Sequence, residues 1–252
     1  MYMRLLQIMV NPDFEMQFHH FYKHTVIPSL QKTEGLRFVN LIKDSTQPGQ
    51  FLSLTLWEEL QQAEQYIKSD LYKRLSEEIT PFLLQSNEWK IQLTDDLELE
   101  YKPIEERPRS KEYVVAVQTD LSTPELKGGH DLFVRIVSVK IQEGKVEEFI
   151  SIYSSEILPT LKNTKGCLYA FLSENLKETD DFLSVSIWSS KVYANEYESS
   201  GAFEELTKKI KHTFSHFYLW KMALEQESKR KMHTSEDMKI NHYTMIAGKS
   251  FN

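Results

Sequence analysis

The chain has 252 residues, 40% hydrophobic and 27% charged, enough to bury one large core or two ordinary ones, which excludes a disordered tract. Its 30 Lys and Arg against 37 Asp and Glu leave a net charge of −7, which argues against a nucleic-acid binder held by a basic face. A single cysteine, Cys167, excludes an internal disulfide and a cysteine-based zinc site, and suits a reducing compartment.

The opening MYMRLLQIMVNPDF lacks the cationic start and apolar run of a signal peptide, and no stretch approaches the roughly 18 apolar residues of a membrane span. A cytoplasmic protein without a membrane partner is expected. The eight glycines form neither GxGxxG nor GxxxxGK[ST], so a glycine-lined nucleotide cradle is not expected.

The sequence repeats itself once. A shift of 131 residues, without gaps, lays Phe51-Leu-Ser-Leu-Thr-Leu-Trp57 on Phe182-Leu-Ser-Val-Ser-Ile-Trp188. The same shift lays Phe18, Tyr22, Pro28, Leu30 and Gly35 on Phe149, Tyr153, Pro159, Leu161 and Gly166, and Trp89-Lys90 on Trp220-Lys221. One register held through rare Trp and Pro marks a duplicated domain. Residues 1–93 form the first repeat, 94–130 a linker with an edge strand, 131–224 the second repeat, and 225–252 a C-terminal arm with a strand.

In chain order each repeat reads strand (3–10; 132–141), helix (14–31; 145–162), strand (37–43; 168–173), polar turn, strand (51–57; 182–188), helix (60–78; 192–211) and last strand with Trp89 or Trp220. Phe14, Phe18, Phe21, Tyr22 and Thr25 follow helical spacing. Pro28 and Pro159 near the helix ends should kink or close the last turn, and Gly35 and Gly166 follow as stop signals. The order βαββαβ is the ferredoxin-like split βαβ, an α+β class. Residues 111–121 and 241–251 each hold a short strand-like run and read as arms that cover a sheet edge.

The first strand is apolar on both faces, with Arg4, Leu6, Ile8 and Val10 on one and Met3, Leu5, Gln7 and Met9 on the other, so both sides of the sheet need cover. Helices cover one; a sister sheet is the natural partner for the other. Two repeats packed sheet to sheet, an intramolecular α+β barrel, are therefore expected within one monomeric chain acting as a pseudo-dimer, with further homodimerisation left open. The third strand sets Leu52, Leu54 and Leu56 against Phe51, Ser53, Thr55 and Trp57. The mixed face reads either as a less apolar layer of core or as a cavity wall, and periodicity does not say which face meets the helices.

The run W-x5-A-x2-[H/W/Y]-x2-S-x2-[F/Y] is carried by Trp57, Ala63, Tyr66, Ser69 and Tyr72, and again by Trp188, Ala194, Tyr197, Ser200 and Phe203. With the βαββαβ order it resembles the antibiotic biosynthesis monooxygenase (ABM) domain, in fused tandem form, over roughly 180 of the residues. The resemblance implies the dimeric α+β barrel fold and two chemistries. One branch oxidises quinols or anthrones with O₂ and no cofactor, and another degrades heme. The heme branch's Trp falls on Tyr66 and Tyr197, its His on Ser76 and Thr207, and its Asn near Gln7 and Ser138, so heme ligation of that type is not expected.

The quinol-oxidising branch's Asn, Trp and Tyr fall on Gln62, Tyr66 and Tyr72, and on Tyr193, Tyr197 and Phe203. The resemblance thus implies catalytic Tyr66, Gln62 and Tyr72, with Gln7, Tyr193, Tyr197 and Ser138 against a small aromatic substrate, and the cavity-wall reading of the third strand adds Ser53, Thr55 and Trp57. O₂ is the co-substrate, and no cofactor or metal is expected. Packing of Tyr66 and Tyr197 on the sheet is the competing reading, and a non-catalytic module binding a small molecule or a protein is the alternative function. The pairs His20/His24 and His212/His216, i and i+4, read as solvated helix faces because no third ligand accompanies them.

Overall fold

The computed structural model of the protein describes residues 1–44, 48–93, 99–105, 108–118, 132–215 and 238–250. Trp220, His216 and much of the linker, expected above to carry a strand, a helix face and a connection, lie outside the described residues. The chain divides into two compact units, one of Arg4–Lys111 with Ile246–Asn252, the other of Met1–Met3 with Glu112–Met245.

In the first repeat β1 (Tyr2–Met9) leads to α1 (Glu15–Phe21), a wide turn (Tyr22–Val26) and α2 (Ile27–Leu30), then β2 (Leu36–Asp44) and β3 (Gln50–Trp57). α3 (Leu60–Ile67) and α4 (Asp70–Ile79) follow, then β4 (Gln85–Leu93), β5 (Leu99–Glu105) and β6 (Arg109–Gln118). The second repeat has β7 (Phe133–Lys140), α5 (Val146–Ile152), a wide turn (Tyr153–Ile157), α6 (Leu158–Asn163), β8 (Cys167–Asn175) and β9 (Asp181–Trp188). It ends in α7 (Lys191–Ser199) and α8 (Ala202–Ile210), with β10 (Met238–Ser250) beyond. This is the α+β, ferredoxin-like arrangement that the repeated pattern predicts.

In the first unit β3 lies between β1 and β2; in the second the order is β10-β7-β9-β8-β6. The two arms do cover edges: β10 pairs antiparallel with β7, and β6 with β8. The end of each repeat's first strand also meets the segment after the last helix, at Val10 with Leu83 and Ile141 with Phe214. There the Leu84 N–H donates to the Met9 carbonyl and the Ser215 N–H to the Lys140 carbonyl, both at 2.9 Å. The strand carrying Trp89 forms as expected, but it pairs with β5 in a separate two-stranded sheet.

Pro28 and Pro159 do not end their helices. Each sits one residue into a further turn, preceded by a π-type turn in which the Ile27 and Leu158 N–H groups donate to the carbonyls of Tyr22 and Tyr153. Proline removes an i→i−4 hydrogen bond and crowds the carbonyl four residues back. The i→i−5 turn widens the backbone where the ring needs room, which explains why both repeats carry it at the same register.

The second predicted helix is broken in both repeats. Ser69 ends α3 and starts α4: its hydroxyl donates to the Tyr66 carbonyl (2.6 Å) and accepts from the Tyr72 N–H (3.2 Å). Ser200 likewise donates to the Tyr197 carbonyl (3.0 Å), with Gly201 at φ +82° completing the break. The serine of the family-like run is therefore a helix cap.

Candidate functional site

The mixed face of the third strand is the one that meets the helices. Phe51 packs edge-on against Phe18 (centroids 5.3 Å), Ser53 Oγ lies 2.6 Å from Tyr22 Oη, and Trp57 stacks on Tyr66 (5.2 Å, 30°). The Trp57 indole N–H donates to Thr55 Oγ1 (3.0 Å). The second unit repeats each contact: Phe182 with Phe149 (5.2 Å), Ser184 with Tyr153 (2.8 Å), Trp188 with Tyr197 (5.2 Å), and Trp188 Nε1 to Ser186 (2.9 Å). The polar groups of that face are buried and satisfied within a mostly aromatic layer, which is the core-layer reading of the two.

Breaking the helix at Ser69 creates the central feature. Tyr66 and Tyr72 are six residues apart and would point away from each other on one continuous helix of 3.6 residues per turn. The turn at Ser69 swings α4 so that the rings meet edge to face at 5.4 Å. Arg4, reaching from β1, joins them: its Nη2 donates to Tyr72 Oη (2.9 Å), and its guanidinium carbon lies 5.1 Å from the Tyr72 ring centre. Arg4 is only 6% exposed, and its Nε has no partner among the described residues.

Burial pushes the Tyr66 hydroxyl well above its ordinary range, an effect that the charge of Arg4 partly offsets. Tyr66 is thus held as a neutral phenol, a donor and not a base. Tyr72 accepts from a guanidinium, which leaves its own hydroxyl proton available to donate.

The second unit holds the same frame with different chemistry. Arg135, at the register of Arg4, is 3% exposed and donates from Nε to Glu198 Oε1. Its guanidinium carbon lies 4.1 Å over the Phe203 ring and 5.8 Å from that of Tyr197. Burial lifts Tyr197 to about 12, against the pull of Arg135. Position 67 of the first repeat, the counterpart of Glu198, is Ile67.

The remaining expected site residues divide. Ser53, Thr55 and Trp57 do belong to the layer that holds Tyr66. Gln62 does not face the Arg4 cluster: its Oε1 accepts from the Glu59 N–H (3.2 Å) in a capping box, and its amide lies across Gly35. Tyr193 does the same for Gly166, where an added Cβ would stand 2.4 Å from Tyr193 Cγ. Gln7 and Ser138 alternate with Arg4 and Arg135 along β1 and β7 and so lie on the opposite face of their strands. They stand on the face away from the helices that carry Tyr66 and Tyr197.

Arg4 and Arg135 are the residues that sequence reasoning missed. The signal was present: a long cation recurs at one register in an apolar strand of both repeats, and a buried charge needs a partner or a purpose. His20 and His24 are exposed and stack at 4.4 Å, while His212 pairs with Glu148 (2.8 Å). Burial raises Cys167 to about 12, which fits a packed thiol.

Residues 1–78 and 132–209 each match the antibiotic biosynthesis monooxygenase family. The chain belongs to that family, as a tandem of two domains. No curated protein matches its sequence. A candidate monooxygenase from Fusobacterium nucleatum subsp. nucleatum has a similar structure, with TM-score 0.71 and 11% identity over 99% of this chain and 94% of that one. Another from Lactobacillus acidophilus gives 0.66 and 8% over 99% and 95%. An anthrone oxidase-like protein gives 0.60 and 12% over 99% and 93%. At these identities the likeness establishes the shared fold. No helix among the described residues is long and apolar enough to cross a membrane.

Proposed function

We propose that the first repeat oxidises a small aromatic, anthrone- or quinol-like compound with O₂ and without a cofactor. The observation that carries this reading is the half-buried Arg4–Tyr72 hydrogen bond set against the Tyr66 ring. Such a reaction needs an enclosed apolar wall and donors aimed at an oxygen on which negative charge develops. Trp57 and the Tyr66 ring supply the wall, and the hydroxyls of Tyr72, backed by Arg4, and of Tyr66 supply the donors.

For an anthrone the balance is direct. The substrate loses a proton to give a delocalised anion, whose oxygen is stabilised by Tyr72 and Tyr66. Electron transfer from that anion to O₂ and recombination give a peroxide anion, which takes a proton back from solvent to become a hydroperoxide at the former methylene. Loss of water then leaves the carbonyl, so one CH₂ and one O₂ become one C=O and one H₂O. Tyr66, held neutral by burial, stabilises the anion as a donor while the proton passes to solvent.

In the second repeat the hydroxyl of Tyr72 is absent, because Phe203 stands in its place, and Glu198 neutralises the arginine. That repeat is assigned a structural role. Oxygen uptake by metal-free protein over a panel of anthrones and quinols tests the reading. Turnover above background that falls by about 100-fold in Tyr72→Phe, the loss of one donor to developing charge, supports it. No turnover of any member, and no member raising the thermal unfolding temperature, would replace it with the non-catalytic module.

A further inference from the structure

Each arginine has one buried nitrogen without a partner among the described residues, Nε in Arg4 and Nη2 in Arg135, but only Arg135 has a carboxylate, and that difference points to the charge of the ligand. Each is more than nine-tenths buried at the same register of its repeat's first strand. Arg135 has a carboxylate on Nε; Arg4 has no partner on Nε among the described residues, and its one hydrogen bond, from Nη2, goes to a neutral phenol. Among the described residues, the side chains in recorded interaction with Arg4 are Thr55, whose hydroxyl donates to the Arg4 carbonyl, and the phenols Tyr22, Tyr66 and Tyr72. None carries a negative charge at neutral pH. A buried guanidinium without a counter-ion is unfavourable, and a fork of five donors suits an oxyanion.

We infer that the first repeat binds an anionic aromatic ligand whose charged oxygen sits on Arg4 Nε, the place that Glu198 fills in the second repeat. This inference rests on the reading of the Tyr66 side as the substrate site, and it names the substrate class: a fused or single aromatic ring bearing a carboxylate or an ionised hydroxyl. Glu198 is then a built-in occupant that closes the second site, and Ile67 is the residue that leaves the first one open. The Glu198 side chain is 29% exposed where it reaches Arg135, so this approach to the guanidinium starts from the surface. Ile67 is likewise half-buried at that register of the first repeat.

The test uses the full chain and 3-hydroxy-2-naphthoate as probe, with its methyl ester as the uncharged match, both followed by calorimetric titration. The acid should bind with one equivalent per chain and the ester about tenfold more weakly, the worth of one charge-assisted hydrogen bond. Ile67→Glu, which supplies Arg4 with an internal carboxylate, should weaken the acid by a similar factor. Ile67→Gln, of similar size without charge, should not. Glu198→Ile should add a second equivalent.

Equal binding of acid and ester, or Ile67→Glu binding the acid as the parent does, would overturn the inference. Should Glu198→Ile fail to fold, the Ile67 pair decides alone. If the inference fails while a neutral anthrone is still oxidised in a Tyr72-dependent way, the proposed function survives. If neither probe binds and no oxygen is consumed, both fall.

Discussion

The Tyr22 hydroxyl and Ser53 Oγ lie 2.6 Å apart, fixing the wide turn of the first helix to the centre of β3, and Tyr153 and Ser184 hold the same relation at 2.8 Å. Tyr22 and Tyr153 are each 2% exposed, so the hydroxyls have no alternative partner in solvent. Tyr22→Phe leaves a buried serine hydroxyl unsatisfied and should cost about 1–2 kcal/mol. Ser53→Ala in the Tyr22→Phe background should recover part of that loss. Urea unfolding of the single and double variants measures the coupling, and strictly additive losses would count against the pair.

Alkaline pH should weaken the protein through its buried tyrosines. Burial raises Tyr22, Tyr66, Tyr113, Tyr153 and Tyr169 well above the ordinary value of 10, and Tyr197 to about 12. A group raised in the folded state keeps its proton while the unfolded chain loses it. Its contribution is therefore whole below pH 10 and is lost as pH climbs from there through the folded values. The urea midpoint should stay flat from neutral pH to about 9.5 and fall above 10, in step with the ordinary tyrosine value. Tyrosinate absorbance should rise in two phases, and ionisation of all twelve tyrosines in one step with the fold intact would contradict this.

Gly166 and Gly35 should respond differently to alanine. Both have positive φ, +84° and +75°, so a Cβ is strained at either position by about 1–2 kcal/mol. At Gly35 the atom in the way is the mobile end of Gln62, but at Gly166 it is the Tyr193 ring. Gly166→Ala should therefore cost more, and Tyr193→Ala should relieve the excess in the double variant. Equal losses at the two sites would show that backbone strain alone decides.

The Arg135–Glu198 pair should be worth more broken than replaced. Removing one partner of a fully buried pair costs about 3–5 kcal/mol. Because Glu198 is 29% exposed, water screens part of this, and Glu198→Ala should cost about 2 kcal/mol. Arg135→Met combined with Glu198→Ala should lie closer to the parent than Glu198→Ala does. A double variant less stable than either single one would refute the account.

Much of the fold was legible because duplication wrote each element twice. A pattern seen at Phe51–Trp57 and again at Phe182–Trp188 needs no further support to be read as a strand. The π-type turns were not legible, because Pro28 and Pro159 read equally well as helix ends; the backbone's answer to a mid-helix proline depends on what it packs against. The break at Ser69 was hidden for a similar reason, since a serine in a helical pattern can be a surface residue or a cap.

At the site, spacing along the second helix found Tyr66 and Tyr72 but could not find Arg4, which comes from a different element. Gln62 and Tyr193 were drawn in by their register, whereas the glycines beneath them fix what they do. Gln7 and Ser138 stand apart from that cluster by alternation: the strand that delivers Arg4 to the helix side necessarily carries its next-but-two neighbour to the other.

The central claim is that the first repeat alone carries the oxidising site, and matched tyrosine variants test it most directly. Oxygen uptake would be measured at saturating anthrone for the parent, Tyr66→Phe and Tyr197→Phe, each checked for an unchanged urea midpoint. Loss of one hydrogen bond to developing negative charge predicts a fall of about 100-fold for Tyr66→Phe, and a change within about threefold for Tyr197→Phe. Full activity in Tyr66→Phe, or an equal fall in both variants, would contradict the account.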